Sequence, residues 1–436
     1  MRPAWKAALI IGAITLVAGG LRLYRLSQPD EKVFDEVYYA SDACWYAGHP
    51  FQACGLKDDA ERSWVHPPLG KMLIAVGIDG FGNRPFGWRF TAAMAGTATI
   101  ALAGMLAFLL FASAGWAAVG AVLAATEHLL FVQSRVAMLD VFLTMFVVLG
   151  FVLLVADRLH PMRYRPLRVA AGAAFGLAIA VKWSGVLALL AAIVLALAWE
   201  RTRRKTEGEE RPLRRALREQ GLPLYLSLVI VPFVAYALTW IPWLAERSFD
   251  VVDWAGHHGD MAGYHLGLDT IGEDGEPIHP YMSRAWSWLL LSRPVSYFWQ
   301  GEPNCCAEIL GMGSPLLFWG GLLVIPYLAL AWRGRRDWRA GALLVPILAQ
   351  FLPWLLVSRP LFLFYMAPVT PFLALGTAYA ARDLLGVRLD QRLAMAGTAA
   401  VVVVSIALFA FFWPVLTAST ISTEAWQNRM WFDGWI

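Results

Sequence analysis

Charge is scarce in this chain. Only 16% of its 436 residues are Asp, Glu, Lys or Arg, against about 25% in an ordinary soluble domain. A disordered chain needs high charge and little apolar content, and here 58% of residues are apolar. Cysteine is scarcer still, with four residues, too few for a disulfide-built miniprotein. Neither CxxC nor paired His spacing offers a zinc site. There is no solenoid-type repeat and no low-complexity tract. The only charge run is Thr202–Gln220, which reads as a cytosolic loop with a basic helix lying on anionic lipid; the apolar composition excludes a nucleic-acid-binding domain as the main reading. What the sequence has instead is long apolar runs.

A bilayer core about 30 Å thick takes about 20 mostly apolar residues per helix. Eleven stretches meet or approach that length: 7–26, 88–112, 115–134, 139–156, 167–181, 184–199, 222–243, 314–332, 340–357, 361–381 and 393–415. Those at 167–181 and 184–199 are short, so a re-entrant pair is an alternative there. The ten-residue dyad alternation of a membrane barrel is missing. The reading is an all-α polytopic membrane protein, one integral membrane unit over 1–436 with no separate soluble domain.

With the N-terminus cytoplasmic, the inside segments hold 21 Lys/Arg and nine Asp/Glu, and the remainder holds 15 and 23. The short loops thus obey the positive-inside rule, which places the C-terminus outside. His66–Asp79 looks helical with prolines at its start, but its uncharged run is too short to span, so an interfacial helix on the outer face is expected. Ala18-Gly19-Gly20 is weakly compatible with signal cleavage, yet the apolar run continues into Arg22 and Arg25, favouring a retained helix. Cys44, Cys54, Cys305 and Cys306 all fall in outside loops, where disulfides persist. Three pairings are open; Cys44–Cys54 is the local one, and four free thiols is the competing reading.

Two loops are long, 27–87 and 244–313, and long loops commonly carry function. They contain Asp35, Glu36, His66, Lys71, His257, His258, His265, Arg284, Arg293 and Glu302. Trp254, Trp286, Trp288 and Trp299 accompany them; an aromatic interface belt is the simpler reading, a sugar-stacking surface the other. Near helix ends on the same side lie Asp35-Glu36, Arg89, Arg135, Asp140, Lys182 and Arg359. Singly each is a snorkelling charge. Together they set carboxylates opposite a group of cations at one membrane face, where ionisable groups default to function. Arg and Lys bind phosphate. A phosphate leaves without a general acid, so a transferase using a lipid-linked sugar phosphate needs one base for the acceptor hydroxyl and cations for the developing charge.

Several blocks resemble the protein O-mannosyltransferase family. They are Phe34-Asp35-Glu36-Val37-Tyr38-Tyr39, His66-Pro67-Pro68-Leu69-Gly70-Lys71, Ser134-Arg135-Val136-Ala137-Met138-Leu139-Asp140 and Val181-Lys182-Trp183-Ser184-Gly185. Trp286–Val295, Cys306–Leu310 and Phe362–Pro368 follow in order. The resemblance runs from about 21 to about 381. It implies a GT-C membrane glycosyltransferase that moves mannose, with inversion, from polyprenyl-phosphate mannose to Ser or Thr of exported polypeptides. On that basis Asp35 is the expected base, with Glu36 its partner in the DE pair. Arg89, Arg135, Lys182 and Arg359 are expected to bind donor phosphate, with Lys71 a further candidate. His66, Asp140 and Arg293 shape the site, Asp140 by orienting Arg135.

The 244–313 loop has no room for the β-trefoil insertion of eukaryotic members, which points to the compact bacterial branch and the plasma membrane. The secretion machinery is a candidate partner. No cofactor or metal is expected, though scattered carboxylates leave a divalent ion open. Two other readings compete: a GT-C enzyme transferring to a glycolipid, and a transporter or flippase. The second would call for repeats and broken midplane helices, which are not visible.

Overall fold

The computed structural model describes residues 2–56, 64–272, 275–388 and 391–436. Residues 57–63 of the first long loop and 273–274 of the second lie outside that set. In chain order the first helices are α1 (Arg2–Leu23), α2 (Glu36–Tyr46), α3 (Phe51–Cys54), α4 (Leu69–Phe81), α5 (Pro85–Phe111), α6 (Ala114–Ala125), α7 (His128–Gln133), α8 (Leu139–Leu159), α9 (Pro166–Val181) and α10 (Gly185–Thr206). Then come α11 (Pro212–Tyr225), α12 (Val231–Leu238), α13 (Ile241–Glu246), α14 (Val251–Leu266), strands β1 (Val295–Glu302) and β2 (Cys305–Gly311), α15 (Pro315–Arg335), α16 (Trp338–Phe351), α17 (Thr370–Arg388), α18 (Gln391–Leu416), β3 (Ile421–Ser422) and α19 (Thr423–Gln427).

Among the described residues nine helical stretches are long and apolar enough to cross a bilayer, and α6 and α9 are shorter apolar helices. All eleven expected stretches are therefore helical. Their boundaries differ for physical reasons. The 115–134 stretch is broken at Glu127, whose carboxylate accepts hydrogen bonds from the backbone N–H groups of Leu130 (2.6 Å) and Ser314 (3.0 Å). That caps the N-terminus of α7 and ties it to the start of α15. The basic segment at 212–225 is not a separate surface helix. It runs through a π-helical turn at Leu226–Ile230 into α12, a register change that absorbs Pro223 and Pro232. A helix does form after the two prolines, as α4, with Pro68 at its N-cap.

The strands were not anticipated. β1 and β2 form an antiparallel hairpin running from Val295 opposite Gly311 to Glu302 opposite Cys305, and β3 pairs with β2. Cys305 and Cys306 are free thiols on β2, adjacent residues facing opposite sides of the sheet. Cys44 and Cys54 are bonded, with Cα atoms 5.5 Å apart, closing the end of α2 onto α3. Of the four loop tryptophans, Trp288 is fully buried and Trp254 packs in an aromatic cluster, whereas Trp286 and Trp299 are exposed. Only the last two could serve a belt or a stacking surface.

Candidate active site

Asp35 sits at the N-cap of α2, immediately after a backbone kink. Phe34 adopts a φ of 46°, which a bulky residue holds only at a cost of about 1–3 kcal/mol. Aromatic packing holds it there. The Phe34 ring stacks on Tyr297 of β1 at 4.8 Å and meets Phe364 edge-on at 5.7 Å. The unanticipated sheet thus positions the residue that aims Asp35. Asp35 is half-buried by surface exposure, yet protein atoms crowd it on its other sides. Its pKa is pushed up to about 6, first by burial, with Lys182 opposing, Asp140 adding to the rise, and a hydrogen bond from Tyr39 opposing.

Lys182 ends α9 in extended backbone. Its Nζ lies 3.1 Å from both carboxylate oxygens of Asp140, at the start of α8, and 4.6 Å from the Tyr365 ring centroid. Beside it opens a cleft of about 440 Å³ lined by His66, Lys182, Trp183, Ser184, His265 and Arg359, among others. Leu266 and Leu356 edge the cleft and are 87% and 89% exposed, the exposure expected of side chains meant for lipid. A second cleft of about 490 Å³ shares Trp354 and Arg359 and reaches His279, Ser283 and Trp286.

Arg359 donates to His265 Nδ1 at 2.9 Å and lies 5.8 Å from the ring centroids of both Trp354 and Tyr365. His66 packs against His265 at 5.3 Å and Tyr39 at 6.1 Å. Its pKa is lowered well below the usual imidazole range, chiefly by burial and then by Lys182, His265, Lys71 and Arg359, so the ring is neutral.

Other expected site residues have their polar atoms bonded elsewhere in the fold. Glu36 is fully buried and takes four hydrogen bonds. Two come from Arg89, both at 2.8 Å, and two from the backbone N–H groups of Val33 and Ala137. Arg89 spends its remaining donors on the carbonyls of Leu26, Pro29 and Glu31, leaving none for a phosphate. Arg135 points the other way, donating to the carbonyls of Leu21, Arg22, Tyr24 and Arg25. It caps the C-terminal end of α1, where carbonyls lack helical partners. Asp140 therefore orients Lys182, not Arg135. Lys71 is buried in an ion pair with Asp42 at 3.3 Å. Arg293 bonds the carbonyls of Pro280, Gly434 and Ile436, a clamp on the chain's last residues and not a wall of either cleft.

A wider, open groove of about 1260 Å³ lies elsewhere, among Glu207–Glu219 beyond the far end of α10. The 22 residues of α10 separate it from Lys182 by about 33 Å. Ion pairs such as Arg204 with Glu200 and Glu219 fill its surroundings, and no apolar wall shapes it for a ligand.

Two family models cover most of the chain. The dolichyl-phosphate-mannose-protein mannosyltransferase model matches residues 80–246, and that of the C-terminal four TMM region of protein O-mannosyltransferase matches 252–435. A polyprenol-phosphate-mannose–protein mannosyltransferase of Mycobacterium tuberculosis is 32% identical over 98% of this chain and 91% of its own. The chain belongs to the protein O-mannosyltransferase family. A Corynebacterium glutamicum relative of the same name is 27% identical over 98% of this chain and 92% of its own. The fold matches the S. cerevisiae protein O-mannosyltransferase Pmt1–Pmt2 complex bound to the sugar donor, with a TM-score of 0.81 at 15% identity over 99% and 93% of the two chains. It also matches ArnT from Cupriavidus metallidurans bound to undecaprenyl phosphate, at 0.57 and 18% over 94% and 76%. The chain is thus a polytopic mannosyltransferase of GT-C fold, as the motif resemblance implied.

Membership does not by itself say which side chains act. The geometry separates Asp35, Lys182 and Arg359, which keep polar groups at or near the clefts, from Glu36, Arg89 and Arg135, which do not. His265, Tyr39, Tyr365 and Trp354 were given no role in the site, although Tyr39 and Tyr365 lie inside motif blocks. His265 had been legible only as one polar residue among many in a long loop; nothing in its spacing pairs it with Arg359, 94 positions away.

Proposed function

We propose that this enzyme transfers mannose from a polyprenyl-phosphate-mannose donor to Ser or Thr hydroxyls of exported polypeptides, with Asp35 as base. The observation carrying this reading is the raised pKa of Asp35 beside the Lys182–Asp140 pair, next to a cleft that joins Arg359 to exposed leucines. A base near pKa 6 is ionised at neutral pH yet accepts a proton more readily than an ordinary carboxylate. In the proposed step Asp35 takes the acceptor proton as the hydroxyl oxygen attacks the anomeric carbon. The bond from that carbon to the phosphate oxygen breaks, and the electron pair leaves with the lipid phosphate. One displacement inverts the anomeric centre.

Arg359 is the proposed main phosphate contact. Among the described residues its charge is shared only with a neutral imidazole and two aromatic faces, whereas that of Lys182 is largely balanced by Asp140. Lys182 still has three N–H donors, enough to hold Asp140 and reach a phosphate oxygen. These two cations supply positive charge without a cofactor. The exposed leucines at the cleft edge suit the polyprenyl chain. We further propose a bacterial plasma membrane location with the cleft on the outer face, supported by the Lys/Arg-rich segments 200–219 and 333–339, which lie at the ends of α10 and α15 remote from it.

The test is transfer of labelled mannose from polyprenyl-phosphate mannose by the purified enzyme, offered a Ser/Thr-rich peptide and a lipid extract together. Label on the peptide is expected. Label on lipid alone would move the acceptor to a glycolipid, and label on neither would overturn the donor assignment. In the same assay Arg359→Ala is expected to raise the donor KM at least ~10-fold, the worth of one charge-assisted contact, with a smaller effect on kcat. An unchanged donor KM would remove Arg359 from the phosphate site.

A further inference from the structure

The cleft's main cation does not hold itself in place. Arg359 lies in the segment between α16 and α17, just after the exposed residues Leu355, Leu356 and Val357, and no carboxylate bonds it among the described residues. Its hydrogen-bond partner is His265, the penultimate residue of α14. His265 is fixed at both ring nitrogens. Nε2 lies 2.8 Å from the Val65 carbonyl, and Nδ1 lies 2.9 Å from an Arg359 N–H. A carbonyl can only accept and a guanidinium can only donate. The two contacts together therefore require one species, a neutral ring with its proton on Nε2 and its lone pair on Nδ1.

We propose that His265 is a positioning residue that sets Arg359 over the cleft by accepting its hydrogen bond, so that the phosphate site is complete only when α14 is docked. The proposal rests on the reading of Arg359 as a phosphate contact. Three remote segments meet at this imidazole: the end of α14, the residue before His66, and the loop of Arg359. The rest of α14 is seated independently. His258 Nε2 meets the Tyr236 hydroxyl at 2.6 Å, its Nδ1 bonds the Trp254 carbonyl at 2.7 Å, and Trp183 Nε1 donates to the same tyrosine at 3.2 Å. Trp183 follows Lys182 in sequence, so the seat of α14 is built on the neighbour of one cation while its tip holds the other. The groups facing His265 are Arg359, Lys182, His66, Trp183 and Tyr264. Burial, and then the cations among them, oppose protonation of the ring, which would turn Nδ1 into a donor facing a donor.

Two conservative variants separate the halves of this arrangement. In His265→Asn the amide oxygen can occupy the place of Nδ1 and still accept from Arg359. In His265→Gln the longer side chain reaches the place of Nε2 and can still donate to Val65, but offers Arg359 no acceptor. The donor KM is expected to stay within ~3-fold of the parent in the Asn variant and to rise ~10-fold in the Gln variant, with kcat changed less in both. Combining His265→Gln with Arg359→Ala should add little to Arg359→Ala alone, since both remove one contact. Equal donor KM values for Asn and Gln, or additive effects in the double variant, would overturn the proposal. If Arg359→Ala leaves the donor KM unchanged, the phosphate reading itself falls and this one with it. If Arg359→Ala raises the donor KM and His265→Gln does not, only the positioning role fails.

Discussion

Replacing Asp35 with Asn is expected to lower mannose transfer by ~10²–10⁴-fold, the usual contribution of a positioned base, and to leave donor affinity intact. The substitution keeps the shape of the side chain and the hydrogen-bonding reach toward Tyr39. It removes the proton acceptor and leaves Lys182 and Arg359 for the phosphate. The parent's kcat/KM should rise with pH through about 6, where Asp35 ionises. Stability runs in the opposite direction. The folded-state pKa of about 6 lies above the ordinary 3.8, so the fold favours the neutral acid, and its stability falls as pH rises from about 4 to about 6. Above that window the ionised carboxylate carries a full burial cost that Asn does not. At pH 7 the inactive variant should therefore melt at the same temperature as the parent or higher. Substantial transfer by this variant would sink the base assignment. Loss of transfer together with a lower melting temperature would assign the loss to damage of the fold.

The membrane helices were legible in the sequence because lipid imposes a composition on any segment that crosses it. Eleven apolar runs could be read directly, down to the short pair that meets at Lys182. The breaks within runs were less legible. Glu127 interrupts one stretch by capping α7, and an isolated carboxylate in an apolar run gives no sign of the N–H groups it will meet. The strands were hidden for a related reason: they are two to eight residues long, and their partners lie up to 117 positions apart, as with Cys305 of β2 and Ser422 of β3. Within the site, charge type and motif order located the DE pair and the lysine after α9. They could not divide acting groups from structural ones, because Arg89, Arg135 and Arg359 look alike as cations near helix ends. Only the partners distinguish them: a carboxylate and three carbonyls for Arg89, four carbonyls for Arg135, and a neutral imidazole for Arg359.

That division has its largest structural consequence at Glu36. Glu36→Ala is expected to destabilise the fold by ~3–5 kcal/mol, the cost of breaking one side of a buried ion pair. It strands Arg89, which stays protonated in essentially any environment, and it also orphans the N–H groups of Val33 and Ala137. Arg89→Ala should be somewhat milder, because the carboxylic acid left behind can take up a proton and become neutral. The two substitutions should be clearly non-additive, since the double variant leaves no unpaired charge. Through Ala137 the same pair holds the first loop against the segment leading to Asp140, so thermal melting is the readout to follow. In whatever fraction of Arg89→Ala remains folded, the donor KM should match the parent. An unchanged melting temperature with a raised donor KM would be the opposite pattern. It would return Arg89 to the phosphate site and require its five donors to be released from Glu36 and the three carbonyls when substrate binds.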